Sequence, residues 1–281
     1  MEHIHITSKE VDRFERHLWL EEKSKLTIQK YIRDVTLFSE FMNGLEVTKE
    51  SVIGFKTSLI SKGYKVRSIN SMIASINALF SFLEHPELKI KSLKLQQQVF
   101  CPEEKELSKA EFYRLCDAAK RKNNRRILLI LQTICGTGIR VSELKYFTVE
   151  AVRSGVVTVK CKGKIRDVFI VKDLQKKLLR YIAELKIQEG AIFVTRTGQS
   201  ISRTCIWREM KQLCEEAHIN PEKVYPHNLR HLFARTFYGI EKDIAKLADI
   251  LGHSSINTTR IYIISTGAEH RLKMENMHLI I

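Results

Sequence analysis

The chain has 281 residues, 44% hydrophobic and 28% charged, the composition of a soluble globular protein large enough for two domains and a real core. Its 47 lysines and arginines against 32 acidic residues leave a net charge of +15, which points to a polyanionic partner, either nucleic acid or an acidic membrane surface. With no run of 18 apolar residues, no secretion-type N-terminus and no C-x-x-C pair among six cysteines, a membrane span, an export signal and a zinc finger are not expected, and the thiols read as reduced and cytosolic.

The first eighty-odd residues read as four helices. In "LTIQKYIRDVTLFSEFM" the residues Ile28, Tyr31, Ile32, Val35, Phe38, Phe41 and Met42 recur at helical spacing, opposite Lys30, Arg33, Asp34 and Glu40. A third helix is expected from Thr48, as N-cap, to Gly63, as C-cap. The fourth aligns Ile69, Met72, Ile73, Ile76, Leu79, Phe80 and Leu83 and ends near Pro86. Short loops between such stripes suit a compact bundle over residues 1–88.

From 89 to 106 the pattern fades into a polar, charged stretch broken by Pro102, read as an interdomain linker. Ser108 and Glu111 then form a capping box, so a second domain is expected over 107–281. "RRILLILQTIC" is apolar all round and should be buried, and "GVVTVKCKGKIRDVFIV" reads as a hairpin about a Lys-Gly-Lys turn. Helices are expected at about 173–186, 202–218, 227–238 and 243–251, with a short strand in "AIFVT". The fold class is mostly α with a small β-sheet, α+β.

Several polar residues of this domain lie where loops meet helices. Arg140 follows "GTGI" on a glycine-permitted turn, with Glu143 one turn on, spaced for a surface ion pair worth ~0.2–1 kcal/mol or for something more. Lys162 stands at the hairpin tip. In "PHNLRH", His227 and Arg230 share a helix face, with His231 beside them. In "LGHSSINTTRIY", Gly252 ends a helix, His253 follows at once and Tyr262 comes nine residues later. Turn, cap and packing roles account for each singly. Together, two arginines, a lysine, two histidines and a tyrosine form a coherent chemical set.

Over almost its whole length the chain resembles the tyrosine recombinase (phage integrase) family. "LTIQKYIRDVTLFSEFM" is similar to a helix of that family's N-terminal core-binding domain, and "GTGIRVSEL", "KGK", "HNLRHLFA" and "LGHSSINTTRIY" are similar to its ordered active-site motifs. The resemblance implies a SAM-like, DNA-binding helical domain followed by a catalytic domain. It implies Tyr262 as nucleophile, Arg140, Lys162, His227, Arg230 and His253 as catalytic groups, and Glu143 as support for the first arginine. Two departures stand out: "IYIIS" after the tyrosine replaces a more polar run, and Leu232 stands where a small hydroxyl residue is frequent.

The chemistry explains the residue types. A phosphodiester gathers negative charge on its non-bridging oxygens as it is attacked, and two guanidiniums can clamp those oxygens bidentately. A phenol is a weak nucleophile near neutrality and needs a base, here His227, while His253 would hydrogen-bond the phosphate. A lysine such as Lys162 can protonate the leaving 5′-oxygen. The covalent 3′-phosphotyrosyl product keeps the bond energy for rejoining, so neither ATP nor a metal is expected as cofactor. No Walker-type loop or two-metal carboxylate cluster is present in the sequence.

The resemblance further implies a clamp around double-stranded DNA bearing inverted-repeat core sites. If about 8 phosphates are neutralised, affinity should fall by several orders of magnitude between 50 and 200 mM salt. The apolar end of "TGAEHRLKMENMHLII" could fold back or dock on a neighbouring subunit; the resemblance implies docking, a homo-tetramer on two DNA sites, with a second recombinase or accessory factor left open. The plain two-domain layout resembles Xer-type enzymes and transposon integrases. Integration and excision of a mobile element in the bacterial cytoplasm is the expected role; chromosome or plasmid dimer resolution, a non-catalytic architectural protein and a type IB topoisomerase are the alternatives.

Overall fold

In a computed structural model of the chain, the residues described are 4–94, 103–161, 164–195, 197–263, 271 and 274–277. The chain forms two compact units, Met1–Gln97 and Gln98–Ile281.

The first unit is built from four helices: α1 (Ser8–Leu20), α2 (Lys25–Met42), α3 (Lys49–Ser61) and α4 (Val66–Phe82). Ser24 caps α2 by accepting the Thr27 N–H, and Thr48 with Ser51 closes the start of α3. The apolar stripes meet in one core, where Phe38 packs edge-on against Phe55 and Phe80, with centroids 5.1 and 6.0 Å apart. One carboxylate lies in this packing. Asp34, 1% exposed, accepts from Lys30 Nζ at 2.8 Å and from Ser75 Oγ at 3.0 Å, which fixes Lys30 between α2 and α4. Residues 89–94 run along α4, where Asn77 and Asn70 each exchange two hydrogen bonds with the backbone of Ile90 and Leu93.

The second unit opens with α5 (Lys109–Arg121), started by the Ser108–Glu111 capping box, and α6 (Arg125–Thr137). Ile127, Ile130, Leu131 and Ile134 of α6 are fully buried, each such side chain worth roughly 1.5–3 kcal/mol in burial. A 3₁₀ segment, Val141–Tyr146, and α7 (Val149–Ser154) lead into an antiparallel hairpin of β1 (Val156–Cys161) and β2 (Lys164–Phe169). Its register pairs Val157 with Val168 and Val159 with Arg166. Val157, Val159 and Val168 turn inward, while Ile165 and Phe169 are exposed. The chain continues through α8 (Lys172–Glu184), α9 (Arg203–Lys211), α10 (Cys214–Ala217), α11 (Pro226–Glu241), α12 (Ile244–Leu251) and α13 (Ile256–Arg260). Among the described residues no helix is long and apolar enough to cross a membrane.

Three expectations need correction. Asp34, expected on the polar face of α2, is buried and held there by Lys30 and Ser75. "AIFVT" is not a strand: Ala191 and Val194 make only isolated bridges, to Thr148 and Ser200. Ile192 and Phe193 are buried all the same, so the apolar run signals burial rather than strand pairing. The helix expected over 202–218 is two, because the backbone tightens at Leu213, whose N–H bonds to the Met210 carbonyl three residues back.

Candidate active site

Three chain reversals build the site. The first follows α6. Gly138 adopts φ +66°, and a Cβ there would lie 2.4 Å from the Phe233 ring, so only glycine fits. The turn delivers Arg140 to the start of the 3₁₀ segment, where its backbone N–H donates to Glu143 Oε2 at 2.8 Å and its Nη1 to Glu143 Oε1 at 3.1 Å. Glu143 is 2% exposed, so this is not the surface pair that spacing alone allowed. Burial works to raise its pKa, but the hydrogen bonds from the Arg166 guanidinium and the Arg140 backbone N–H, with the charges of both arginines, outweigh it and hold the carboxyl below its usual range.

The second reversal starts α11 at Pro226, whose fixed φ and missing N–H suit a first helical turn. Asn228 ties that turn down by donating to the Lys105 and Lys223 carbonyls. His227, Arg230 and His231 then occupy one face. Arg230, 1% exposed, donates Nη1 to the Gly138 carbonyl at 2.5 Å and Nη2 to the Leu251 carbonyl at 2.6 Å. Burial and the charge of Arg140 pull its pKa down to about 10, and its Nε has no hydrogen-bond partner among the described residues.

The third reversal ends α12. Gly252, at φ +64°, stops the helix and leaves the Leu251 carbonyl free to accept from both arginines, with Arg140 Nη1 at 3.4 Å. His253 follows. Its Nε2 lies 3.0 Å from Arg230 Nη2, which can only donate, so the imidazole proton sits on Nδ1 and reaches Thr259 Oγ1 at 2.8 Å. The stretch before the tyrosine is not a loop throughout, since residues 256–260 form α13 and Thr259 is fully buried.

Tyr262 closes the group. Its hydroxyl lies 3.2 Å from His227 Nε2, and its ring stacks on His231 with centroids 4.2 Å apart and planes 13° from parallel. The Arg230 guanidinium carbon is 5.8 Å from the phenol centroid, and the His253 ring 4.9 Å. His227 keeps an edge open to solvent, yet crowding on its other side, then the charges of Arg230 and Arg140, lower its pKa. The same causes lower His253 to about 4; for His231 burial, then His227 and Arg230, does so, also to about 4. Three neutral imidazoles therefore surround the phenol near neutral pH. With Nε2 unprotonated, His227 can accept the phenolic proton.

The structure thus brings together Arg140, Glu143, His227, Arg230, His253 and Tyr262, which are spread over more than a hundred residues of chain. Lys162 lies outside the described residues. Arg166 of β2, absent from the sequence motifs, joins the group: its Nη1 and Nη2 donate to the two Glu143 oxygens at 3.1 and 2.9 Å. An arginine on the inward, valine-bearing face of a strand was the signal that could have found it. His231 was seen only as a neighbour of Arg230, and its stacking on Tyr262 is a tertiary contact.

Residues 105–269 match the family described as Phage integrase family, and residues 11–87 match Phage integrase, N-terminal SAM-like domain. Tyrosine recombinase XerA of Pyrococcus furiosus is 30% identical over 284 residues, covering 98% of this chain and 96% of its own. The fold resembles the crystal structure of XerH site-specific recombinase bound to difH in a pre-cleavage complex (TM-score 0.70, 20% identity, 95% and 84% of the two chains). It also resembles a lambda integrase tetramer bound to a Holliday junction (TM-score 0.74, 16% identity, 90% and 76%). With one domain matching across most of the second unit and a relative aligned end to end, the chain belongs to the phage integrase family and is a tyrosine recombinase, an enzyme of site-specific DNA recombination.

Proposed function

We propose that Tyr262 attacks the scissile phosphorus of a DNA strand, forming a 3′-phosphotyrosyl bond as the phosphorus–5′-oxygen bond breaks. His227 takes the phenolic proton, and Arg140 and Arg230 bind the non-bridging oxygens with His253 beside them. Glu143 holds Arg140, and Lys162 delivers a proton to the leaving 5′-oxygen. Attack by a 5′-hydroxyl on the phosphotyrosine then reverses the step and reseals a strand. The observation that carries this reading is the phenol hydroxyl 3.2 Å from His227 Nε2, beside two guanidiniums that share one carbonyl oxygen. On a suicide substrate nicked near the cleavage site, wild type becomes covalently attached to DNA and Tyr262→Phe does not. Attachment by Tyr262→Phe would overturn the assignment.

Double-stranded DNA with inverted-repeat core sites is the proposed partner, gripped by the core-binding and catalytic domains. The +15 charge supports this, as does an open groove of about 870 Å³ in the first unit, lined by Tyr64 and by Lys30, Arg33 and Arg67, which outnumber the lining carboxylates Asp34 and Glu40. Assembly as a homo-tetramer on two sites is supported by the similarity to the lambda integrase tetramer. It is supported too by an apolar groove of about 420 Å³ lined by Phe112, Tyr113, Leu174, Leu232 and Phe237. The apolar C-terminal tail of a neighbouring subunit is the proposed occupant. That tail lies mostly outside the described residues, but Met274 and Met277 are exposed.

The proposed setting is the cytoplasm, and the proposed role is integration and excision of a mobile element. End-to-end similarity to XerA favours a second reading, Xer-type resolution of chromosome or plasmid dimers. Selecting bound sites from random DNA and locating them in the host genome separates the two: a single chromosomal site supports dimer resolution, and sites at element ends support mobility.

A further inference from the structure

Glu143 faces two guanidiniums, not one. Arg166 grips both its oxygens in a fork-on-fork pair, while Arg140 Nη1 shares Oε1 with Arg166 Nη1. Arg166 also donates Nε to the Ile250 carbonyl at 3.1 Å, so one side chain joins β2, the 3₁₀ segment and the end of α12. The side chain is only 14% exposed. Gly252 leaves the space for it: a Cβ there would lie 2.8 Å from Arg166 Cδ. Arg140, by contrast, commits only Nη1 of its guanidinium among the described residues.

A buried carboxylate offered a single arginine would pair with it bidentately and cancel its charge. With Arg166 occupying both oxygens, Glu143 holds Arg140 by one edge and leaves its other donors for a phosphate. We infer that Arg166 is a positioning residue for Arg140, keeping the carboxylate from capturing the phosphate clamp and fixing the end of α12 next to the carbonyl on which Arg140 and Arg230 converge. It touches no reacting atom. This inference rests on the reading of Arg140 as a phosphate-binding group.

Single-turnover covalent attachment on the nicked substrate tests it, with the scissile phosphate either a normal diester or a methylphosphonate, in which a methyl group replaces one non-bridging oxygen and removes the negative charge. Arg166→Gln should slow attachment to the diester by about 10–100-fold, the range for removing groups that orient a primary ligand. The defect should be much smaller on the methylphosphonate, where less charge needs clamping. Arg166→Lys, which keeps charge but not the fork, should recover little, and it carries the test if Arg166→Gln fails to fold. In a Glu143→Gln background, Arg166→Gln should add little further loss. Wild-type rates in the Arg166 variants, or equal losses on both substrates, would overturn the inference. Failure of wild type itself to attach to DNA through Tyr262 would instead remove the reading on which it rests.

Discussion

The hydroxyl of Tyr262 lies 3.2 Å from Nε2 of His227, a contact across 35 residues of chain. His227→Ala should therefore slow covalent attachment by roughly 10²-fold or more, the usual worth of a general base. Crowding and the charges of Arg230 and Arg140 lower the pKa of His227, so its neutral form persists below pH 6.5. The decline of the attachment rate in acid should therefore be centred below pH 6.5. A decline centred above 6.5 would contradict the assignment.

His231 and His253 carry pKa values of about 4 in the folded chain, against 6.5 for an unconstrained imidazole. Below 6.5 the unfolded chain binds more protons than the folded one, so stability is fully present above that pH and is lost as pH falls towards 4. Urea denaturation at stepped pH values checks this. Substituting His231 by Phe, which keeps a ring against Tyr262, should flatten the pH dependence.

Gly252 and Gly63 both have positive φ, +64° and +74°, but only Gly252 has a neighbour where a Cβ would go. Gly63→Ala should lose about 1 kcal/mol from backbone strain alone, and Gly252→Ala more. Only the Gly252 variant should also lose covalent attachment, since Arg166 must move. Thermal melts beside attachment assays measure both.

The helical stripes, the Ser108 cap, the hairpin and the residues at the three reversals are legible in the sequence because each depends on nearby residues. Gly138, Pro226 and Gly252 mark where the chain turns, and Arg140, His227 and His253 follow each turn within two residues. Arg166 was not legible. Its partner Glu143 lies 23 residues away and its second anchor, the Ile250 carbonyl, 84 residues away. The segment 191–195 misled for the opposite reason: its β-type residues are buried by the core without a partner strand beside them.

Removing residues 272–281 should abolish recombination between two DNA sites while leaving binding to a single site intact. Gel-shift and recombination assays on the same preparation decide it. Unchanged recombination by the truncated chain would remove the docking role proposed for the tail.

Tyr262 contacts His227, Arg230, His231 and His253 of its own chain. Cleavage is therefore expected within one subunit. Mixtures of Tyr262→Phe with Arg140→Ala should stay inactive in covalent attachment, whereas recovery on mixing would show that subunits exchange their tyrosines.

The oxygen on which Arg140 and Arg230 converge belongs to the main chain at Leu251, so every amino acid placed there would supply it. Evolution can vary that side chain only among apolar groups that fill the same space, because Leu251 is buried with Ala234, Leu247 and Tyr262. What cannot drift is the register at which α12 stops: shortening or lengthening the helix by one residue would rotate the shared anchor away from both cations together. Insertions and deletions between 244 and 252 should thus be far less tolerated than apolar substitutions at 251, a pattern that deep mutational libraries would record as sensitivity to length beyond the demand for an apolar side chain.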